Sequence, residues 1–134
     1  MSLLGAFNIG STGLVAQSMR LNITASNVAN AESVAGPDGR TYRARQVMFA
    51  PIPVENTKGA GVQVVDIVES KEPLRQEYKP FHPMADKNGY VQMPNVNPVE
   101  EMVNMISASR SYQMNIEMMN TTRQLMLKTL DLGR

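Results

Sequence analysis

Stepping alternately three and four residues from Met102, the sequence reads Met102, Met105, Ser109, Tyr112, Ile116, Met119, Arg123, Met126 and Leu130, apolar at seven of nine positions. This is the spacing of a coiled-coil seam held for four heptads. Asn97 supplies a capping oxygen, Pro98 suits the first helical position and Glu100 the third, so a helix is predicted to begin at residue 98. No proline follows Pro98 and the only later glycine is Gly133. One helix of about 35 residues and about 50 Å is therefore expected over 98–132, against an average near 11 residues in compact domains. A helix this long with a narrow apolar stripe requires a partner helix. Methionine fills four of the seven apolar positions, which gives the stripe an adaptable surface suited to non-identical contacts. Ser109 and Arg123 interrupt it, as a register device or as a bend toward another neighbour.

All eight prolines lie between Pro37 and Pro98, so the chain divides into residues 1–31, an N-terminal helix, 32–97, a proline-rich β/loop insert, and 98–134, a C-terminal helix. The same step gives the first segment a weaker seam of Leu3, Phe7, Gly10, Leu14, Gln17, Leu21, Thr24 and Val28. Ile9, Ala16 and Ile23 form a second line on roughly the opposite side. A helix apolar on two faces is expected to be buried between neighbours. Gly10 and Gly13 weaken its first turns by about 1 kcal/mol each relative to alanine, which predicts disorder there in an isolated chain. In the insert, Gly36-Pro37-Asp38-Gly39 is a turn signal and 41–49 alternates as a strand that Pro51 and Pro53 should stop. Residues 62–68 make the strongest strand, with a phase shift between Val64 and Val65 that suggests a bulge. Residues 72–84 read as extended and irregular, and Asn88-Gly89 as a tight turn before a strand at 90–93.

Chemistry is harder to place. The formal net charge is +1, without the clustered Lys and Arg that nucleic acid requires. The chain has no cysteine, which removes disulfides and thiolate metal sites, and its single histidine, His82, has no second member for a triad or a metal centre. No catalytic residue, metal or cofactor is expected. Glu100 and Glu101 are read as first-turn charges that complement the helix dipole. No apolar run reaches about 18 residues and the first residues lack a basic start followed by an apolar core, so neither membrane insertion nor a cleaved secretory signal is predicted. Tyr42, Arg43, Arg45 and Gln46 form one polar cluster, either the wet face of a strand or a contact surface.

Three stretches carry a resemblance. Ser26-Asn27-Val28-Ala29-Asn30-Ala31 is similar to the S-N-x-A-N-A helix end of the bacterial flagellar rod proteins. Tyr42-Arg43-Ala44-Arg45-Gln46 resembles their Y-[KR]-x-[RKA]-Q stretch. The run from Asn95 through Asn97, Pro98, Glu101 and Met102 to Ile106, followed by Arg110, Ser111 and Tyr112, looks like their C-terminal signature. The long link after Asn30, the short total length and Asp86-Lys87-Asn88-Gly89-Tyr90-Val91 resemble the proximal-rod members most. The resemblance implies a non-enzymatic subunit of a helical tube that transmits torque and encloses an export channel. It also implies contacts with copies of itself, other rod subunits and the basal-body base rings, after passage through the flagellar type III export apparatus without a cleaved signal.

The resulting expectation is a mainly α protein whose N- and C-terminal helices pair as a coiled-coil axial domain around a small β-containing insert. Its assembly interface is expected at Leu3, Phe7, Leu14, Leu21, Val28, Tyr42, Arg43, Arg45, Met102, Met105, Tyr112, Ile116, Met119, Met126 and Leu130. The alternatives are another rod subunit and a free helical-hairpin adaptor that binds one partner helix in a groove.

Overall fold

A computed structural model describes residues 2–35 and 38–134; Gly36 and Pro37 of the expected turn lie outside them. Helix α1 spans Leu3–Ala29 and helix α2 spans Pro98–Leu132. Between them lie two antiparallel hairpins, β1 (Arg45–Pro53) with β2 (Ala60–Glu69) and β3 (Arg75–Tyr78) with β4 (Tyr90–Met93).

The start of α2 follows the capping chemistry that the sequence predicts. The Asn97 side chain accepts from the amides of Val99 at 3.1 Å and Glu100 at 3.4 Å, with Pro98 in the first turn. Asn97→Ala is expected to lower stability by about 1 kcal/mol, read from a denaturant titration, with the helix retained. Helix α1 begins at Leu3, capped by Ser2, whose Oγ accepts from the Gly5 amide at 3.0 Å.

The glycines that weaken α1 locally face α2. A Cβ on Gly13 would sit 2.8 Å from Asn115 Nδ2, and one on Gly10 would sit 2.6 Å from Met118 Cε. Asn27 in turn bonds Glu101. These three meetings share a constant antiparallel offset, which sets Leu3 level with Leu125 and leaves residues 127–132 of α2 extending past the start of α1.

An adjoining face of α1 carries the β1–β2 hairpin. Thr12 Oγ1 donates to the Ile9 carbonyl at 2.7 Å and accepts from the Val62 amide at 3.1 Å, and Thr57 at the hairpin end lies against Gly5. α1 is thus held between α2 and a hairpin laid along it, in agreement with its two apolar faces.

The register confirms the expected bulge: Met48 pairs with Asp66 and Phe49 with Val64, leaving Val65 as the extra residue. Two strand expectations are corrected. β1 starts at Arg45 and not at residue 41, because the backbone before it is engaged by asparagine side chains. It also runs through Pro51 and Pro53, since in a two-stranded sheet one edge has no ladder and a missing N–H there breaks nothing. β3 lies within the stretch read as irregular, and its four residues have too little alternation to announce it.

In the second hairpin Tyr78 and Tyr90 are directly paired, with ring centroids 5.3 Å apart at 62°, an edge-to-face contact. Gly89 in its turn has φ +83, and a Cβ there would meet Tyr78 Cε2 at 2.8 Å. Gly89→Ala is therefore expected to destabilise the chain by about 1–2 kcal/mol, visible as a lower thermal midpoint.

Candidate assembly surface and the junction behind it

The three sequence motifs meet at one buried amide. Asn27, 1% exposed at the end of α1, donates through Nδ2 to the Arg45 carbonyl at 2.8 Å and to Glu101 Oε2 at 3.1 Å. Its Oδ1 accepts from the Tyr42 hydroxyl at 2.8 Å and from the Arg45 amide at 3.0 Å. Both donors and both acceptor positions of the carboxamide are in use, so a single side chain ties α1, the start of β1 and α2 together. A second asparagine extends the clasp. Asn95 Oδ1 accepts from the Ala44 amide at 2.8 Å while its Nδ2 donates to the Glu72 carbonyl at 3.0 Å. Ala31, Ala44 and Val96 form a small core beneath, with Tyr42 against it.

Tyr42, Arg43 and Arg45 serve this junction. The Arg45 guanidinium stands 5.6 Å from the Tyr42 ring centroid and 3.6 Å from Glu69, and Arg43 donates to the carbonyls of Ser70 and Glu72. Glu101, read as a dipole charge alone, is a correction: it is buried and receives the Asn27 amide. The sequence holds no signal for that role beyond the motif itself. His82 Nδ1 accepts from the Met84 amide at 3.1 Å within a local turn.

The helix pair is rotated from the stripe that the apolar spacing selects. Met105, Tyr112, Met119 and Met126 are half-buried as that stripe requires, but the line that completes the contact is Glu101, Ala108, Asn115 and Thr122, one residue earlier than Met102, Ser109, Ile116 and Arg123. Met102, Ile116 and Leu130 consequently face outward. On α1 the inward residues are Gly10, Gly13, Ala16, Thr24 and Asn27, while Phe7, Leu14, Leu21 and Val28 are only half-buried and Leu3 is exposed. Gly13 faces the Asn115 amide and Gly10 takes in the ends of Met118 and Met119, so the space that the glycines leave is filled by side chains from α2.

The result is an inverted distribution. Among the described residues four of the seven buried hydrophobic residues are alanines, while Met102, Val103, Ile106, Met114, Leu127 and Leu130 on α2, and Met48, Phe49 and Ile67 on the hairpin, are exposed. The chain exposes 9446 Å², against about 7,000 Å² for a compact monomer of its 14.8 kDa. Large apolar side chains exposed in this number mark contacts with other molecules. Among the described residues no group of three His, Cys, Asp or Glu is placed to hold a metal, and no helix is long and apolar enough to cross a membrane.

Comparison with known proteins gives the surface a context. Residues 7–37 match the family described as "Flagella basal body rod protein", and residues 87–132 match "Flagellar basal body rod FlgEFG protein C-terminal". Over all 134 residues, and the full length of the relative, the chain is 54% identical to the flagellar basal-body rod protein FlgC of Salmonella typhimurium. It is 45% identical to FlgC of Buchnera aphidicola subsp. Schizaphis graminum, with 99% of each chain covered, and 41% identical to FlgC of Borreliella burgdorferi, with 97% of each covered.

Proposed function

The chain belongs to the flagellar basal-body rod protein family, and from that premise we propose that it is a proximal-rod subunit whose outward apolar faces are satisfied by neighbouring subunits. It is a structural component of the basal body and not an enzyme. In this reading α1 and α2 form the axial unit, a coiled coil completed between chains, and the insert of residues 32–97 braces it. Copies of the chain and other rod subunits stack into a tube that transmits torque and leaves a channel for exported subunits. The base rings and the flagellar type III export apparatus are its further partners.

One observation carries the reading: along α2 large apolar side chains such as Met102, Val103, Met114 and Leu130 are exposed, while the buried positions are Glu101, Ala108 and Thr122. A head-to-tail contact whose rotation does not close extends into a helical filament, which is what such a subunit requires.

Surface and fold are separable in a test. Leu130 is 66% exposed and lies beyond the start of α1, so Leu130→Asp is expected to leave the helix content and thermal midpoint of the free chain unchanged. In cells the same variant is expected to be lost from basal bodies and to abolish motility, because a carboxylate buried there without a partner costs several kcal/mol. Ile116→Asp, at a residue 38% exposed, is also expected to be lost from basal bodies. Normal motility with normal rod content in both variants would refute the proposal. A chain whose sedimentation shows a concentration-independent monomer, saturable by one partner helix, would instead favour an adaptor.

A further inference from the structure

The β1–β2 hairpin is a two-stranded ribbon, so each strand has an outer edge with no neighbouring strand. Unpaired N–H and C=O groups along such an edge are a template on which another chain can add a strand. β2 is well suited to that pairing. Its run from Val62 to Val68, VQVVDIV, is rich in β-branched residues and has no proline, and Asp66 is the only charge that interrupts it.

Side-chain bonds from α1 fix which backbone groups of the ribbon point outward. In an antiparallel ladder, residues that bond the partner strand alternate with residues that face away from it. The Val62 amide donates to Thr12 Oγ1 at 3.1 Å, and the amide and carbonyl of Arg45 are both bonded by Asn27, so Val62 and Arg45 face away. Val62 is paired with Pro51, and Arg45 with Glu69. Alternation from these two pairs, on either side of the bulge, makes Pro51, Pro53 and Ile67 outward positions as well.

The same bonds mean that the ribbon runs obliquely over α1. At the hairpin turn α1 covers the β2 edge, through Thr12, and at the other end it covers the β1 edge, through Asn27. The edges left to solvent are β1 at Pro51 and Pro53, and β2 around Ile67. Each is closed in its own way. The prolines have no N–H to offer. The Ile67 N–H already donates to Asp66 Oδ1 at 2.8 Å.

We infer that Asp66 guards the open edge of β2: by holding the Ile67 amide, its carboxylate keeps a second copy of the chain from adding a strand there. A second copy is the competitor because identical runs of this composition stack strand upon strand. The bulge at Val65 breaks the repeat beside the guarded amide, and Thr12 occupies the next outward position but one. The hairpin therefore meets neighbours through exposed side chains such as Met48 and Val65, and not through its backbone.

Asp66→Val in the purified full chain tests this. Asp66 is exposed, so at low concentration the variant is expected to keep the helix content and thermal midpoint of the parent. At higher concentration it is expected to form sheet-rich aggregates, with thioflavin T fluorescence about tenfold above the parent. Asp66→Asn keeps an oxygen that can accept from Ile67 and should remain as soluble as the parent. Glu117→Val removes a carboxylate from an exposed position of α2 and should give no such fluorescence. An Asp66→Val chain as soluble as the parent would overturn the inference. So would an Asp66→Asn chain that aggregates as fast as Asp66→Val, or equal fluorescence from Glu117→Val, since added hydrophobicity would then suffice.

Discussion

Asn27→Leu is expected to lower the stability of the free chain by about 3–5 kcal/mol, a large part of what a domain of this size has in total. The substitution removes four hydrogen bonds at once and leaves the Glu101 carboxylate, the Tyr42 hydroxyl and the Arg45 amide in a buried site without that partner. Unmade bonds to buried polar groups carry the full desolvation penalty, which exceeds the net gain from making them. Tyr42→Phe provides the scale. It removes the hydroxyl's bond to Asn27 and its 3.2 Å contact with Ser26 Oγ and keeps the ring, so it should cost about 1–2 kcal/mol. Denaturant titrations followed by circular dichroism on both variants decide the matter. If Asn27→Leu is no worse than Tyr42→Phe, the amide is a bystander and the junction is held by the Ala31–Ala44–Val96 core.

The second large effect is expected at a glycine of α1 that faces α2. Gly13→Leu inserts a branched side chain where even a Cβ would lie 2.8 Å from Asn115 Nδ2, and the neighbour must move or the helices must part. Overpacking of this kind costs about 1–3 kcal/mol. Because the faces are brought together along the whole length of α1, the expected result is a lower thermal midpoint and loss from basal bodies as well. A compensating change separates crowding from helix propensity. Asn115→Ala should recover at least part of the stability lost in Gly13→Leu, although leucine is itself a better helix former than glycine. Recovery of nothing by the pair would mean that the glycine is needed for a reason other than space.

Much of the fold was legible in the residues. Asn97-Pro98 marked the start of α2, and the phase shift at Val64 and Val65 marked the bulge. The two apolar faces of α1 predicted its place between neighbours. The rotation of the helix pair was not legible, because a search for apolar spacing selects Met102, Ile116 and Leu130 over Glu101, Asn115 and Thr122. That choice takes the widest apolar spacing as the contact, whereas in this chain the glycines of α1 take in Asn115, Met118 and Met119. The same glycines look like mere helix weakness until the facing residue is known. Tyr42, Arg43 and Arg45 stood out as a polar cluster, yet nothing local could tell that Asn27 and Asn95, many residues away, would take their backbone and hydroxyl groups.

The hairpin laid along α1 also determines how the molecule carries load. It is fastened at the Asn27–Arg45 end, at Thr12–Val62 and again where Thr57 meets Gly5. With α2 on an adjoining flank, α1 is the middle member of three side-by-side struts joined near both ends. Twisting such a bundle displaces every tie sideways at the same time, so the ties share the strain and none peels open ahead of the others. Its torsional stiffness is therefore set by the fastenings more than by the helices, and loosening one end would soften the whole length.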